Sequence, residues 1–160
     1  MVAALANAKN QSSSKSRLAS VLTAGGCKTD TRSDPGREHV QNALYKIDPP
    51  SGGNHNSSAA DAGVYEAGSV PGEDHLVHSL EHGFIVLWYQ RNLPQADVNK
   101  LKSLVDQFSV STLLVPRDSI GVPVAATAWH QRLLCPGFQE TPLAEFIKAY
   151  KDKGPEKGFM

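Results

Sequence analysis

The chain has no surplus of either charge: sixteen Lys and Arg offset sixteen Asp and Glu in 160 residues. A nucleic-acid partner is therefore not expected, because phosphate binding needs a basic excess. There is no run of about eighteen apolar residues, which excludes a transmembrane helix within this sequence. Cysteine is scarce. Cys27 and Cys135 stand far apart, in no C-x-x-C pair, so spacing alone leaves a disulfide and two free thiols equally open. A bridge would close a loop of about a hundred residues and stabilise by roughly 4–5 kcal/mol in the chain-entropy model. It would also place the protein outside the cytoplasm. No glycine loop of the P-loop or dinucleotide type occurs, and no nucleophile–base pair is identified by spacing.

What the chain does have is glycine (13), proline (10) and six histidines. Residues 1–34 are expected to form a flexible tail or tether: Met1 to Ala8 is small and apolar, and Lys9 to Ser16 is polar and serine-rich. Ala6-Asn7-Ala8 has the small-x-small form of a signal cleavage site, but no basic segment or apolar core precedes it. From Asp34 to Gly72 the chain reads as loop, with strong turn chemistry at Pro49-Pro50-Ser51-Gly52-Gly53-Asn54. Residues 35–156 are expected to form one α+β domain, a small mixed sheet with two or three helices packed on it. The spacing predicts helices over Glu73–His82, Leu93–Phe108 (capped by Asn92) and from Thr141 to before Gly154. It predicts strands at Phe84–Tyr89, Ser111–Val115 and Val122–Trp129.

The sharpest local pattern is His75-Leu76-Val77-His78-Ser79-Leu80-Glu81-His82-Gly83. His78 and His82 lie four apart, so one helix face presents both imidazoles to a single ion. Glu81 is placed to orient a ligand or to accept a proton from bound water. His55 ends the Pro/Gly loop and His39 sits in another loop. Against this, a histidine pair at i, i+4 also occurs on plain solvated helix faces. His75 reads as an exposed helix start and His130, beside Trp129, as a core or edge residue. His78-Ser79-Leu80-Glu81-His82 also spells H-x-x-E-H, the inverted zinc-peptidase string. That reading needs a distant acidic ligand on another helix, and the one late candidate, Glu156, lies in a Gly/Pro-rich tail.

Ala24-Gly25-Gly26-Cys27, His39-Val40, Tyr45, Pro49 through His55, Gly63-Val64-Tyr65, Val77 through Gly83, Leu134 through Phe138 and Gly154-Pro155-Glu156 together resemble the mainly bacterial, mostly secreted or membrane-tethered family called domain of unknown function 3105. The resemblance runs from about Cys27 to Glu156. Its V-H-x-L-E-H-G string is intact. Its P-P-T-S-G-P-H string departs at Ser51, Gly52 and Asn54 but keeps His55. The resemblance implies that Cys27 and Cys135 pair, pinning the N-terminal segment, and that the protein is exported. It also implies that His39, His55, His78 and His82 are the family's histidines, whereas His75 and His130 are not. The leading expectation is an exported domain binding one divalent metal ion through His39, His55, His78 and His82, with Glu81 beside it. Copper is favoured because it tops the affinity order for nitrogen ligands and no thiolate is on offer; zinc is the alternative. Two rivals stand beside it: a metal-dependent hydrolase or oxidoreductase using Glu81 as base, and a non-catalytic cell-surface or assembly module.

Overall fold

A computed structural model describes residues 14–156. Met1 to Ala8, with the Ala6-Asn7-Ala8 string, lies outside the described residues. The described chain begins in a helix, α1 (14–22), and then forms β1 (Lys28–Asp30), β2 (Gly63–Val64), α2 (Glu73–Glu81), β3 (Ile85–Tyr89), α3 (Gln95–Gln107), β4 (Thr112–Pro116), β5 (Val124–Ala128), β6 (Gln131–Cys135) and α4 (Glu140–Tyr150). The six strands make one mixed sheet in the order β1-β6-β5-β3-β4-β2. β3 and β4 run parallel, with Leu87 opposite Leu114, and α3 is the crossover between them. β3 pairs antiparallel with β5, Trp88 opposite Ala125. The expected α+β domain with a small mixed sheet is what forms.

Sequence periodicity explains the layers. β3 is buried at every position, as an unbroken apolar run requires of a central strand covered on both faces. Ile85, Leu87 and Tyr89 pack on one side with Val98, Leu101 and Val105 of α3 and Leu143, Phe146 and Ile147 of α4. Val86 and Trp88 pack on the other with Leu76 and Leu80 of α2. The Trp88 indole N–H donates to Thr127 Oγ1 at 2.9 Å, so a fully buried indole keeps its polar end satisfied.

Three strands go beyond the sequence reading. β1 is short and polar, β2 has two residues, and β6 (Gln-Arg-Leu-Leu-Cys) lacks strict alternation. β1 lies at the sheet edge against β6, and Cys27 is disulfide-bonded to Cys135, 108 residues away. α3 starts at Gln95, and its N-cap is Pro94, at φ −54° and ψ 141°, two residues past the expected Asn92 cap. No helix among the described residues is long and apolar enough to cross a membrane.

The segment that carries His55 is stitched to this frame. Arg132, 4% exposed, pairs with the Asp30 carboxylate through Nε and Nη2, both at 2.8 Å, and donates Nη1 to Asp48 O and Pro49 O. Ser51 Oγ donates to Arg32 O, and His130 N donates to Ser51 O. Gly52 packs so closely that a Cβ there would come within 2.4 Å of Ser33 Oγ, and Gly53 sits at φ +117°, where other residues are strained.

Candidate metal centre

Two loops and one helix build the site. His39 and His55 face each other across an isolated parallel bridge: Val40 N donates to His55 O at 2.8 Å and His55 N to Glu38 O at 2.9 Å. α2 supplies His78 and Glu81, with His82 at its C-terminal cap. Acidic Glu73 and Asp74 start this helix where its dipole favours them, and Gly83 at φ +91° ends it. Leu76 and Leu80 turn into the core, which turns His78 and Glu81 toward the loops.

The imidazoles of His39, His55 and His78 form a triangle with centroids 4.9 to 5.2 Å apart. One ligand atom from each of these three, and one from Glu81, lie within 4.8 Å of one another. His39 is exposed; His55, His78 and Glu81 are buried. His82 stands one step away, stacked on His78 at 4.9 Å, and groups instead with Glu81 and Glu156. The four expected histidines are thus neighbours, with three meeting around one point and the fourth flanking it.

The hydrogen bonds fix which nitrogen each ring presents. His55 Nδ1 lies 2.9 Å from Gly53 O and His78 Nδ1 lies 2.7 Å from Asn56 O. A carbonyl only accepts, so both Nδ1 atoms carry a proton, and in the neutral ring the lone pair sits on Nε2. This carbonyl-anchored arrangement is the usual one for metal-bound imidazole. His55 Nε2 is buried and has no hydrogen-bond partner, and it faces Glu81 Oε1 at 3.3 Å. Two electron-rich atoms held that close inside a protein require a cation between them, a proton or a metal ion. His78 Nε2 accepts from His82 Nε2 at 2.9 Å, which leaves His82 Nδ1 as a second buried atom without a partner. Burial, reinforced by the neighbouring imidazoles, pushes the His78 pKa below its ordinary value and outweighs the Asn56 hydrogen bond, so the ring is held neutral and able to ligate.

The remaining charges frame the site. Arg37 Nε donates to Glu81 Oε2 at 2.8 Å, and its Nη2 reaches Glu156 Oε1 at 3.4 Å. Glu156 arrives on the C-terminal segment, anchored by its own N–H to Glu81 O at 3.0 Å. Sequence reasoning missed Arg37, which carries no motif, and used Glu156 as part of the family resemblance but weighed it as a ligand only in the peptidase reading. Glu156 does approach His82 Nε2, at 3.7 Å. The histidines set aside stay apart from the triangle: His75 Nδ1 donates to Ser58 O, and His130 stacks on Trp129.

The family described as protein of unknown function (DUF3105) matches residues 38–160, more than three-quarters of the chain, and the chain belongs to it. The matched segment contains all the histidines of the site, Glu81, Glu156 and Cys135. No curated protein and no solved structure matches the chain.

Proposed function

For this DUF3105 member we propose an exported metal-binding role: one divalent transition-metal ion held by His39, His55 and His78 through nitrogen, with Glu81 Oε1 as the fourth donor. The observation that carries the reading is the buried, unpartnered His55 Nε2 facing Glu81 at 3.3 Å while Gly53 holds its other nitrogen. Imidazole suits copper, zinc and iron alike, and copper stands highest in the affinity order for such a set, with zinc as the alternative. The Cys27–Cys135 disulfide supports an extracytoplasmic location, where such bonds persist.

Three imidazoles and a carboxylate fill a tetrahedral ion, which favours holding and passing on a metal over catalysis at an open position. Glu81 is 1% exposed and Arg37 engages its outer oxygen, so it suits a fixed ligand better than a mobile base. His39, the exposed member, gives the ion its route in and out.

The test is metal content by mass spectrometry on protein purified without chelator or affinity tag. A single equivalent of copper or zinc is expected, lost in His55→Ala and in His78→Ala. Wild-type protein that takes up neither metal after exposure to both, or variants with unchanged stoichiometry, would refute the reading.

A further inference from the structure

We propose that the Arg37 guanidinium fills a second cation position in this centre, so that the site holds one metal ion, and that removing its charge admits a second divalent ion between Glu81, His82 and Glu156. The inference rests on the metal-binding reading above and adds to it what sets the stoichiometry.

Glu81 belongs to two donor groups at once, the first with His39, His55 and His78, the second with His82 and Glu156. Its two oxygens face different ways: Oε1 toward His55, Oε2 toward Arg37. A carboxylate shared in this manner bridges two cations, and the second cation present is the protein's own guanidinium, spanning Glu81 Oε2 and Glu156 Oε1.

The second group is built, not incidental. Glu156 is carried there by a segment that two glycines let approach the end of α2. A Cβ on Gly154 would come within 2.1 Å of Glu81 O, and one on Gly83 within 2.7 Å of Asp152 Cα. Asp152 N donates to Gly83 O and Glu156 N to Glu81 O, which fixes the segment at that distance. His82 adds a nitrogen donor, 88% buried, whose Nδ1 lacks any partner. Its Nε2 is held by the lone pair of His78. An ion that takes the His78 lone pair ends that hydrogen bond, and moving the His82 proton from Nε2 to the unpartnered Nδ1 leaves Nε2 with a lone pair facing Glu156 Oε2, 3.7 Å away.

The guanidinium suits a blocking role. It is permanently charged, so it neutralises the two carboxylates at every physiological pH without ligating a metal. Its side chain is 49% exposed, so its removal leaves no cavity in the core. With Arg37 in place, a second divalent ion would face a fixed positive charge at contact distance, and both carboxylates are already engaged.

Equilibrium dialysis against zinc, with copper as a second probe, tests this on the full chain. Wild type and Arg37→Lys are expected to bind one equivalent and Arg37→Gln two, with Arg37→Gln/Glu156→Gln returning to one. Arg37→Met provides a second neutral variant should the glutamine fold poorly. Wild type binding two equivalents, or both neutral variants binding one, overturns the inference and leaves the metal-binding reading standing. Wild type binding none removes that reading, and this inference with it.

Discussion

The two faces of the sheet are held by different physics. On the face covered by α3 and α4 the packed side chains are apolar, from Ile85 and Leu87 to Phe146 and Ile147, together with the Cys27–Cys135 bridge; the exception is Thr112, buried beside Ile85 with its hydroxyl unpartnered. On the face covered by α2 an apolar patch around Trp88 and Leu80 lies beside buried polar groups: His55, Ser79, Glu81 and Thr127. Apolar burial stabilises in proportion to area and tolerates small shifts. Buried polar groups stabilise only when each has its partner. The first face therefore supplies stability, and the second trades some of it for a site with two unpartnered imidazole nitrogens.

This contrast can be broken by substitution, beginning with the apolar face. The double change Cys27→Ala/Cys135→Ala should lower unfolding free energy by about 4–5 kcal/mol in the chain-entropy model, read by urea denaturation, while metal stoichiometry stays intact. Phe146→Ala should cost about 3–5 kcal/mol by the same measurement, again without loss of metal. If either change abolished metal uptake in protein that remained folded, the two faces would not be separable. On the polar face, Ser79→Ala should cost about 1–3 kcal/mol, because Ser79 Oγ accepts from Ala60 N and donates to Ala60 O inside the protein. It should also weaken metal binding, since this link holds the loop after His55 against α2.

The smallest expected effect is on pH dependence without metal. Burial lowers the His78 and His130 pKa values in the folded protein. The unfolded chain then binds protons first as pH falls below about 6.5, so stability is highest above that value and declines on acidification. Denaturation midpoints measured between neutral and mildly acidic pH should fall accordingly. His78→Gln/His130→Gln should flatten the slope, and an unchanged slope would place the acid sensitivity elsewhere.

The sequence made the central architecture legible where periodicity was strong. The apolar run at 84–89 became β3, and the spacing of Val98, Leu101 and Val105 became the inner face of α3. It did not reveal β1, β2 or β6, whose places depend on partners distant in sequence: β1 joins β6 across more than a hundred residues, with Arg132 reaching Asp30. The site divided along the same line. His78, Glu81 and His82 were legible as one helical motif. His39 and His55 were named as histidines converging from loops, but no spacing rule could supply the bridge between them. Arg37 and the carbonyls of Gly53 and Asn56 had no sequence signal, because a loop residue's partners are fixed by the assembled fold.

The most direct test of the central claim is long-range nitrogen–proton NMR of the histidine side chains, before and after adding zinc. His55 and His78 are predicted to keep their Nδ1 protons throughout, with both Nε2 resonances moving to metal-bound positions as one equivalent is added. A His55 Nε2 that carries a proton and does not move with zinc would show a buried imidazolium–carboxylate pair in place of a metal ligand, and would contradict the account.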